Sequence, residues 1–266
     1  MSDFAVIIPA RYASTRYPGK PLVPLRGANG VAKTLIQRSW ECASAIEGSA
    51  GVWIATDDQR IASEVEQLGG QVVITSPGCA NGTERCAEAV GKIDCDAELI
   101  VNLQGDAPLT PHALVLGLVE RLRADSASVM ATPGVRCSPT TLAHLRADEA
   151  AGQVGGTTVA FSRSGRALYF SKRILPFLPP QTGNEVTPVH LHLGLYAYRR
   201  SALAAYVAAP PSELEQLEGL EQLRFLDLDL PVAVVASDPL AWDPIELNNP
   251  SDVSVVEQIL NDRGID

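Results

Sequence analysis

The sequence predicts an α/β protein with a mainly parallel sheet, helices on both faces and an antiparallel insert. Short apolar runs rich in β-branched residues recur in the first part of the chain, which is typical of strands covered on both faces. Amphipathic segments with helical spacing alternate with these runs, as in βα units. After residue 125 the rhythm changes, because strand-like runs follow one another across stretches rich in Gly and Pro.

The individual elements follow from these patterns. In the first part of the chain, the strands are predicted at residues 5–8, 52–55, 72–74 and 99–103, and the helices around Cys86–Ile93 and Leu114–Leu122. Later strands are predicted at residues 129–135, 157–161, 167–170, 190–198 and 232–236. A helix is predicted over residues 212–225 and another from about residue 251. We interpret residues 1–266 as a single domain that contains the insert.

Composition excludes several classes of function. The 31 acidic residues exceed the 21 Lys and Arg residues, so the net charge of −10 argues against a nucleic-acid partner. No apolar run approaches the roughly 20 residues of a membrane span. The five cysteines are odd in number and include no CxxC pair, which favours reduced thiols in a cytoplasmic protein over disulfides or a zinc site.

A cation-rich loop follows the first predicted strand. Its sequence is PARYASTRYPGKPL (residues 9–22), and ligands of parallel sheets bind beyond the carboxyl ends of the strands. The backbone N–H groups of such a loop can wrap a triphosphate, while Arg11 and Lys20 neutralise its charge. The compact ammonium of Lys20 suits the oxygens of the α-phosphate. A solvated basic loop is the alternative, which the acidic character of the chain disfavours.

A carboxylate follows the strand predicted at residues 99–103. Gln104, Gly105 and Asp106 come directly after this strand, at the sheet edge that also carries the loop. Mg²⁺ typically takes one or two protein carboxylates and completes its shell with phosphate and water, so a hard cation is expected here. The alternative is that Asp106 is a turn residue before Pro108.

Seven motifs, in the same order, resemble those of CMP-KDO synthetases (3-deoxy-manno-octulosonate cytidylyltransferases). They are IIPARYASTR with PGKPL (7–22), ATDD (55–58), GTER (82–85), VNLQGD (101–106), ALYFS (167–171), HLGLYAYR (192–199) and LEQLR (220–224). The resemblance spans nearly the whole chain. It implies a Rossmann-like nucleotide-diphospho-sugar transferase fold and a homodimer formed through an insert at about residues 150–200.

The resemblance also implies an activity and the residues that carry it. CMP would pass from CTP to a small acidic acceptor by in-line attack, with Mg²⁺ as cofactor and pyrophosphate released. The expected catalytic residues are Lys20, Arg11, Gln104 and Asp106. The expected CTP-binding residues are Ala10, Arg11, Ser14, Lys20, Thr56, Asp57, Asn81, Gly82, Thr83 and Arg85. The expected acceptor-binding residues are Arg16, Lys172, His192, Tyr196, Glu221 and Gln222, and the expected metal ligands are Asp106 and Asn248.

Three of these assignments have alternatives in the residues themselves. The segment from Asn81 opens a helix, so Asn81 is expected either to cap that helix or to meet the nucleotide. Glu221 falls on the apolar stripe predicted for residues 212–225, where a carboxylate needs a partner, either Arg224 or the acceptor. His192 and Tyr196 share one side of a predicted strand by period-two spacing, and an isolated strand histidine is often structural.

The chain departs from the family pattern mainly on the acceptor and metal side. Ala107 stands where most members have Glu, Asn81 where they have Ser, Lys172 where they have Arg, and Leu191 where they have Arg or Lys. A Gly155-Gly156-Thr157-Thr158 stretch replaces the usual Asn-Pro segment. The second metal-binding Asp of the family is Asn248 here, and Glu246 is the nearby residue whose charge would compensate for the loss.

These departures leave three hypotheses for the function of the chain. A phosphonate such as phosphonoformate is the first expectation, because a compact acid needs fewer contacts to sugar hydroxyls. The alternative is a CMP-KDO synthetase that tolerates the departures. A non-catalytic nucleotide-binding paralogue is the third.

Overall fold

The computed structural model describes residues 3–14, 16–179, 187–240 and 246–266. Thr15 of the cation-rich loop and residues 180–186 of the predicted insert lie outside these ranges. The strands are β1 (Phe4–Ala10), β2 (Pro24–Arg26), β3 (Ala32–Thr34), β4 (Ser49–Thr56), β5 (Gln71–Ile74), β6 (Leu99–Leu103), β7 (Met130–Arg136), β8 (Thr158–Phe161), β9 (Ala167–Ser171), β10 (His190–His192), β11 (Leu195–Arg199) and β12 (Val232–Ser237). The helices are α1 (Leu35–Ser44), α2 (Gln59–Gln67), α3 (Gly82–Val90), α4 (His112–Ala124), α5 (Pro139–Ala150), α6 (Arg200–Ala208), α7 (Glu213–Glu218), α8 (Leu223–Asp227) and α9 (Asp252–Asp262).

The chain divides into two compact units. The first unit contains Met1–His112 and Asp243–Asp266, and the second contains Ala113–Trp242. In the first unit, β5, β4, β1 and β6 lie side by side in this order and all run parallel. The carboxyl ends of β1, β4 and β6 therefore open onto one edge of the sheet, where the segments beginning at Arg11, Asp57 and Gln104 follow them.

The four predicted strands of the first unit are confirmed, and burial explains why β1 and β6 were recognisable. Every residue of β6 and nearly every residue of β1 is buried. An apolar cluster packs the last segment of the chain against the rest of the first unit. It contains Leu25, Leu35, Leu109, Leu247, Val256 and Leu260, all buried.

The second unit has a mixed sheet around β7. β12 runs parallel to β7, while β10 and β11 pair antiparallel with opposite ends of β7, through His192 against Gly134 and Ala197 against Ala131. β8 pairs antiparallel with β10 and with β9. The predicted antiparallel segment is therefore confirmed, and helix α5, which was not predicted, lies between β7 and β8.

The strand predicted over residues 190–198 is wrong in one respect, because it is two strands. The chain leaves the ladder between β10 and β11, and the hydroxyl of Thr132 on β7 fills the gap by donating to the carbonyl oxygen of Leu195 at 2.8 Å. An interruption that is stabilised by a residue 63 positions before Leu195 leaves no periodic signal in the local sequence.

The helix predicted over residues 212–225 is also wrong, because it is broken into α7 and α8. Gly219 ends α7 in the left-handed region, with φ of 61°. Leu214 and Leu217 are 39% and 76% exposed, so the apolar stripe that was to include Glu221 does not exist. Glu221 instead lies, half-buried, in the turn between the two helices.

Across the part of the chain that is described, no helix is both long enough and apolar enough to span a bilayer.

Candidate active site

The cation-rich loop of the first unit folds around Tyr12. The backbone N–H groups of Ser14 and Gly19 both donate to the carbonyl oxygen of Tyr12, each at 3.0 Å. Gly19 has φ of 72°, and a Cβ at this position would lie 3.0 Å from the Tyr12 ring. The guanidinium of Arg60 lies 3.3 Å above that ring. The loop is therefore closed on itself by its own backbone and fixed from one side by α2.

This closure brings Lys20 to Asp106. Its Nζ lies 2.5 Å from Asp106 Oδ2, and both side chains are largely shielded from solvent, at 14% and 22% exposed. Gly105 allows the two strand ends to meet so closely, because a Cβ there would lie 3.0 Å from the carbonyl oxygen of Pro9. Ser39 donates to the Gly105 carbonyl oxygen at 2.9 Å, which fixes the turn. Two residues that were assigned separate catalytic roles thus form one ion pair.

The segment that contains Asn248 lies beside Asp106. The Leu247 N–H donates to the carbonyl oxygen of Asp106 at 2.9 Å. Asn248 Oδ1 accepts from Arg16 at 3.0 Å, and Asn248 Nδ2 donates to Glu246 at 3.4 Å. Burial, and then the neighbouring Asp106 carboxylate, raise the pKa of Glu246, while Asn248, Lys20 and Arg16 act in the opposite direction.

The N-terminus of α3 combines a cap with an internal ion pair. Asn81 caps the helix by accepting from the Glu84 N–H at 2.9 Å, which is the capping alternative for this residue. Arg85 is buried and donates to Thr75 at 2.5 Å and to Asp57 at 3.1 Å. Thr56 is buried and accepts from the Asp58 N–H at 3.2 Å. These contacts give Arg85, Asp57 and Thr56 a framework role at the sheet edge.

Other residues expected to bind the nucleotide line the same edge. Arg11 is exposed directly after the buried Ala10, Ser14 accepts from the Tyr17 N–H at 3.3 Å, and Thr83 is buried in the first turn of α3. Gly82 lets the first turn of α3 lie close to the end of β6. A Cβ at this position would lie 3.4 Å from Asn102 and 3.5 Å from Gln104.

Asn102 was not among the predicted site residues. It is fully buried at the end of β6, and its Nδ2 has no hydrogen-bond partner among the described residues. Its Oδ1 accepts from Gln104 Nε2 at 3.5 Å. An unpaired buried donor costs free energy unless a ligand or water satisfies it, so Asn102 and Gln104 present donors that a bound nucleotide can use. The sequence did offer one sign of a site role for Asn102, because it lies two residues before Gln104 and so on the same side of the strand.

In the second unit, three residues assigned to the acceptor form a buried chain of hydrogen bonds. The Tyr196 hydroxyl donates to Gln222 Oε1 and Gln222 Nε2 lies near His192 Nδ1, both at 3.5 Å. His192 Nε2 lies 3.0 Å from Thr132 Oγ1. Because the Thr132 hydroxyl donates onward to Leu195, His192 Nε2 carries the proton and Nδ1 accepts from Gln222.

His192 is therefore a neutral histidine. Burial lowers its pKa to about 3. The ring also packs edge-on against Phe170, with centroids 5.0 Å apart, and lies 5.5 Å from the Tyr196 ring. His192 and Tyr196 do lie together, although they sit on two strands rather than one. Thr132, the partner that fixes the ring, was missed because it lies 60 positions away on β7.

The remaining residues assigned to the acceptor are held less directly. Lys172 is exposed, and its backbone N–H donates to Glu218 Oε2 at 3.0 Å. The Ser171 hydroxyl donates to the other carboxylate oxygen of Glu218 at 2.7 Å. Arg224, the proposed internal partner of Glu221, donates to both carboxylate oxygens of Glu215 at 2.6 and 2.7 Å. Arg16 belongs to the first unit and contacts Asn248 there.

Residues 5–230 match the model of a protein family described as cytidylyltransferase. The chain belongs to the cytidylyltransferase family. This membership confirms the predicted enzyme class, a nucleotidyltransferase. The matched residues include the cation-rich loop, Lys20, Asp106 and the hydrogen-bonded cluster around His192.

Individual relatives show what this cytidylyltransferase is similar to. It is 44% identical to a 3-deoxy-manno-octulosonate cytidylyltransferase of Maricaulis maris, over 99% of both chains. It is 39% identical to an 8-amino-3,8-dideoxy-manno-octulosonate cytidylyltransferase of Shewanella baltica, over 97% of this chain and 98% of the other. A solved structure of CMP:2-keto-3-deoxy-manno-octonic acid synthetase complexed with CTP superimposes with a TM-score of 0.84 at 31% identity, covering 98% of this chain and all of that one.

These likenesses confirm the resemblance to CMP-KDO synthetases and the predicted fold. They also bear on the acceptor. The relatives are named for octulosonates, so the first expectation, phosphonoformate, finds no support in them, and the alternative is favoured.

Proposed function

We propose that this cytidylyltransferase passes CMP from CTP to 3-deoxy-manno-octulosonate and releases pyrophosphate. The observation that carries the proposal is the likeness, over almost the full length of both chains, to enzymes named for this reaction. Similarity over the whole length includes the second unit, to which five of the six residues assigned to the acceptor belong.

The chemistry asks the protein mainly to position groups and to offset charge. A hydroxyl oxygen of the acceptor forms a bond to the α-phosphorus of CTP and loses its proton to solvent, and the bond from that phosphorus to the bridging oxygen of pyrophosphate breaks. Lys20 carries a compact positive charge at the carboxyl end of the sheet, where phosphates bind. The exposed Arg11 adds a second charge, and the Gly82–Thr83 turn adds the N–H groups of a helix N-terminus.

Mg²⁺ is the proposed cofactor, and the chemistry of the residues at Asp106 fits it. Asp106 and Glu246 supply two carboxyl groups from adjacent segments. Mg²⁺ commonly binds one or two carboxylates of a protein. In the described ranges no group of three or more His, Cys, Asp or Glu side chains is placed to hold a metal, so substrate phosphates and water would complete the shell. When bound, the ion offsets charge on the phosphate oxygens.

The neutral state of His192 bears on the acceptor. A histidine held neutral by burial adds no charge for a carboxylate, but its hydrogen-bond chain with Gln222 and Tyr196 offers polar groups suited to hydroxyls. A sugar acid presents several hydroxyls and phosphonoformate presents none on carbon. The chemistry of this cluster therefore supports a sugar acceptor.

The test compares three acceptors under identical CTP and Mg²⁺. Purified protein is mixed with 3-deoxy-manno-octulosonate, its 8-amino-3,8-dideoxy analogue or phosphonoformate. Pyrophosphate release gives kcat/KM, and mass spectrometry identifies the CMP product. We expect kcat/KM to be highest for 3-deoxy-manno-octulosonate, with phosphonoformate lower by as much as about 10⁴-fold, since unpaired polar groups penalise the wrong acceptor. A higher value for either competitor would replace the proposed substrate with that competitor.

A further inference from the structure

The segment 246–248 holds two polar side chains in fixed places beside Asp106. Leu247 is fully buried in the apolar cluster of the first unit, and its N–H donates to the Asp106 carbonyl oxygen at 2.9 Å. The backbone of Asn248 is fixed as well, because its N–H donates to Asp252 at 2.8 Å. Glu246 and Asn248 flank Leu247 and contact each other, so both side chains lie on the side of the segment away from the apolar cluster.

The amide oxygen of Asn248 is already in use. This oxygen is the atom through which an asparagine binds a hard cation. It accepts from the guanidinium of Arg16 at 3.0 Å, while the amide nitrogen donates to Glu246. A cationic side chain at the ligating atom opposes the approach of a second cation there.

Glu246, in contrast, brings a carboxylate to the same place. The Asn248 amide donates to it, and the Asp106 carboxylate is close enough to act on it electrostatically. Two carboxyl groups in a partly buried position repel each other unless positive charge lies between or beside them. Lys20 supplies one positive charge by pairing with Asp106 at 2.5 Å. A divalent cation that displaced Lys20 from Asp106 would meet both carboxylates.

We propose that Glu246, together with Asp106, holds the divalent cation of the CTP complex, and that Asn248 positions Glu246 instead of binding the metal. The metal-binding carboxylate of this chain is then displaced by two residues from the position at which the family pattern has aspartate. This inference rests on the proposed use of CTP with a divalent cation, but not on the identity of the acceptor.

Manganese binding tests the proposal without relying on turnover. Mn²⁺ prefers oxygen ligands, as Mg²⁺ does, and its free concentration can be followed by electron paramagnetic resonance. Mn²⁺ is titrated into the protein with saturating CTP and no acceptor. We expect Glu246→Gln to weaken Mn²⁺ binding by about tenfold or more, and Asn248→Ala by less than about threefold. Glu66→Gln, on an exposed position of α2, is the matched control and should bind as the native chain does.

A conservative variant separates the lost ligand from a damaged fold. Glu246→Asp keeps a carboxylate at the same position, and we expect it to bind Mn²⁺ more tightly than Glu246→Gln does, while circular dichroism checks that both variants fold. A folded Glu246→Gln that binds Mn²⁺ within threefold of the native chain would overturn the proposal, and so would Asn248→Ala if it lost as much Mn²⁺ affinity as Glu246→Gln. If the native chain with CTP binds no Mn²⁺ beyond CTP itself, the proposed use of the cation fails instead.

Discussion

Lys20 and Asp106 form an ion pair at the edge of the sheet where the parallel strands have their carboxyl ends. The two side chains come from segments 86 positions apart and meet at 2.5 Å because β1 and β6 are adjacent and parallel. Neither is fully buried, so the pair is a modest contributor to stability. Its position next to the cation-rich loop agrees with the proposed role of Lys20 in the reaction.

Replacing Lys20 with alanine should impair turnover and spare the fold. We expect kcat for pyrophosphate release to fall by about 100-fold or more, which is the effect of losing one preorganised electrostatic contact. Lys92→Ala is the control, because it removes a more exposed lysine that also pairs with a carboxylate, Glu88. Steady-state kinetics and circular dichroism measure both variants. Near-native turnover of Lys20→Ala would place the phosphate contact elsewhere.

His192 should make the protein less stable in mild acid. Its folded pKa of about 3 lies below the value of about 6.5 in an unfolded chain. As the pH falls below about 6.5, the unfolded chain takes up a proton that the folded chain refuses, so stability is present above pH 6.5 and is lost toward pH 3. For this one residue the loss between pH 7 and pH 5 is about 2 kcal/mol.

Urea unfolding of His192→Gln at the two pH values tests this expectation. The variant lacks the titrating group, so its free energy of unfolding should fall less between pH 7 and pH 5 than that of the native chain, by about 2 kcal/mol. His144→Gln, at an exposed position of α5, should follow the native chain. If the free energy of unfolding of His192→Gln fell with pH as much as that of the native chain, His192 would take up a proton in the folded protein as well.

At the scale of elements, Gly219 sets the path between α7 and α8. Its φ of 61° is unfavourable for any residue with a Cβ, and a Cβ there would also lie 2.9 Å from Lys172 Nζ. The left-handed turn ends α7 where Glu218 holds Ser171 and Lys172. A single backbone conformation thus connects the helix end to the segment that carries Lys172.

Gly219→Ala should destabilise the protein by about 1–2 kcal/mol, the cost of a left-handed conformation for an L-residue. Gly91→Ala is a matched control, because Gly91 caps α3 with φ of −73° and a Cβ there would meet only ordinary contact at 3.5 Å. Urea denaturation compares the free energies of unfolding of both variants with that of the native chain. Equal values for the two variants would show that the left-handed turn relaxes without cost.

At the scale of the whole molecule, an acidic protein must bind an anionic nucleotide. The net charge of −10 repels CTP over most of the surface, and the cations of residues 11–20 provide a local exception. We expect selection of cytosine to depend on groups at the same sheet edge, among them the buried amide of Asn102, whose Nδ2 has no hydrogen-bond partner among the described residues. The predicted homodimer and cytoplasmic location stay predictions.

Nucleotide binding should therefore appear as a gain in thermal stability that depends on the base. At about 100 times its Kd, CTP with Mg²⁺ should stabilise the fold by about 2.7 kcal/mol, which corresponds to a rise in Tm of roughly 5–10 °C. ATP and GTP at the same concentration should raise Tm by clearly less. Differential scanning calorimetry measures the three shifts, and equal shifts would contradict cytidine selection. Lys20→Ala with CTP serves as a control for phosphate contact.

The parts of the fold that the sequence predicts are those that depend on local pattern. β1 and β6 are buried along nearly their whole length, and β4 and β5 contain short apolar runs, so these four strands are visible in the sequence. The break between β10 and β11 depends on Thr132, and no local pattern encodes a partner on another strand. Gly219 was visible, but a glycine within a helical pattern does not reveal whether its φ is positive.

The same distinction applies to the candidate site. Lys20, Asp106 and the loop around them were predictable, because parallel strands bring their carboxyl ends to one edge. The internal pairing of Arg85 with Asp57 and Thr75 was not, since those contacts depend on how α3 packs against the sheet. Nor could spacing show that the oxygen of Asn248 is engaged by Arg16, a residue 232 positions earlier.

The ion pair between Lys20 and Asp106 also has a consequence for the catalytic cycle. Because each group already satisfies the other, a triphosphate that binds Lys20 as proposed would compete with Asp106 for the same ammonium. That competition would weaken binding of the nucleotide in the ground state, and the pair would re-form as pyrophosphate departs. The Lys20–Asp106 contact of 2.5 Å would then slow nucleotide binding and favour product release.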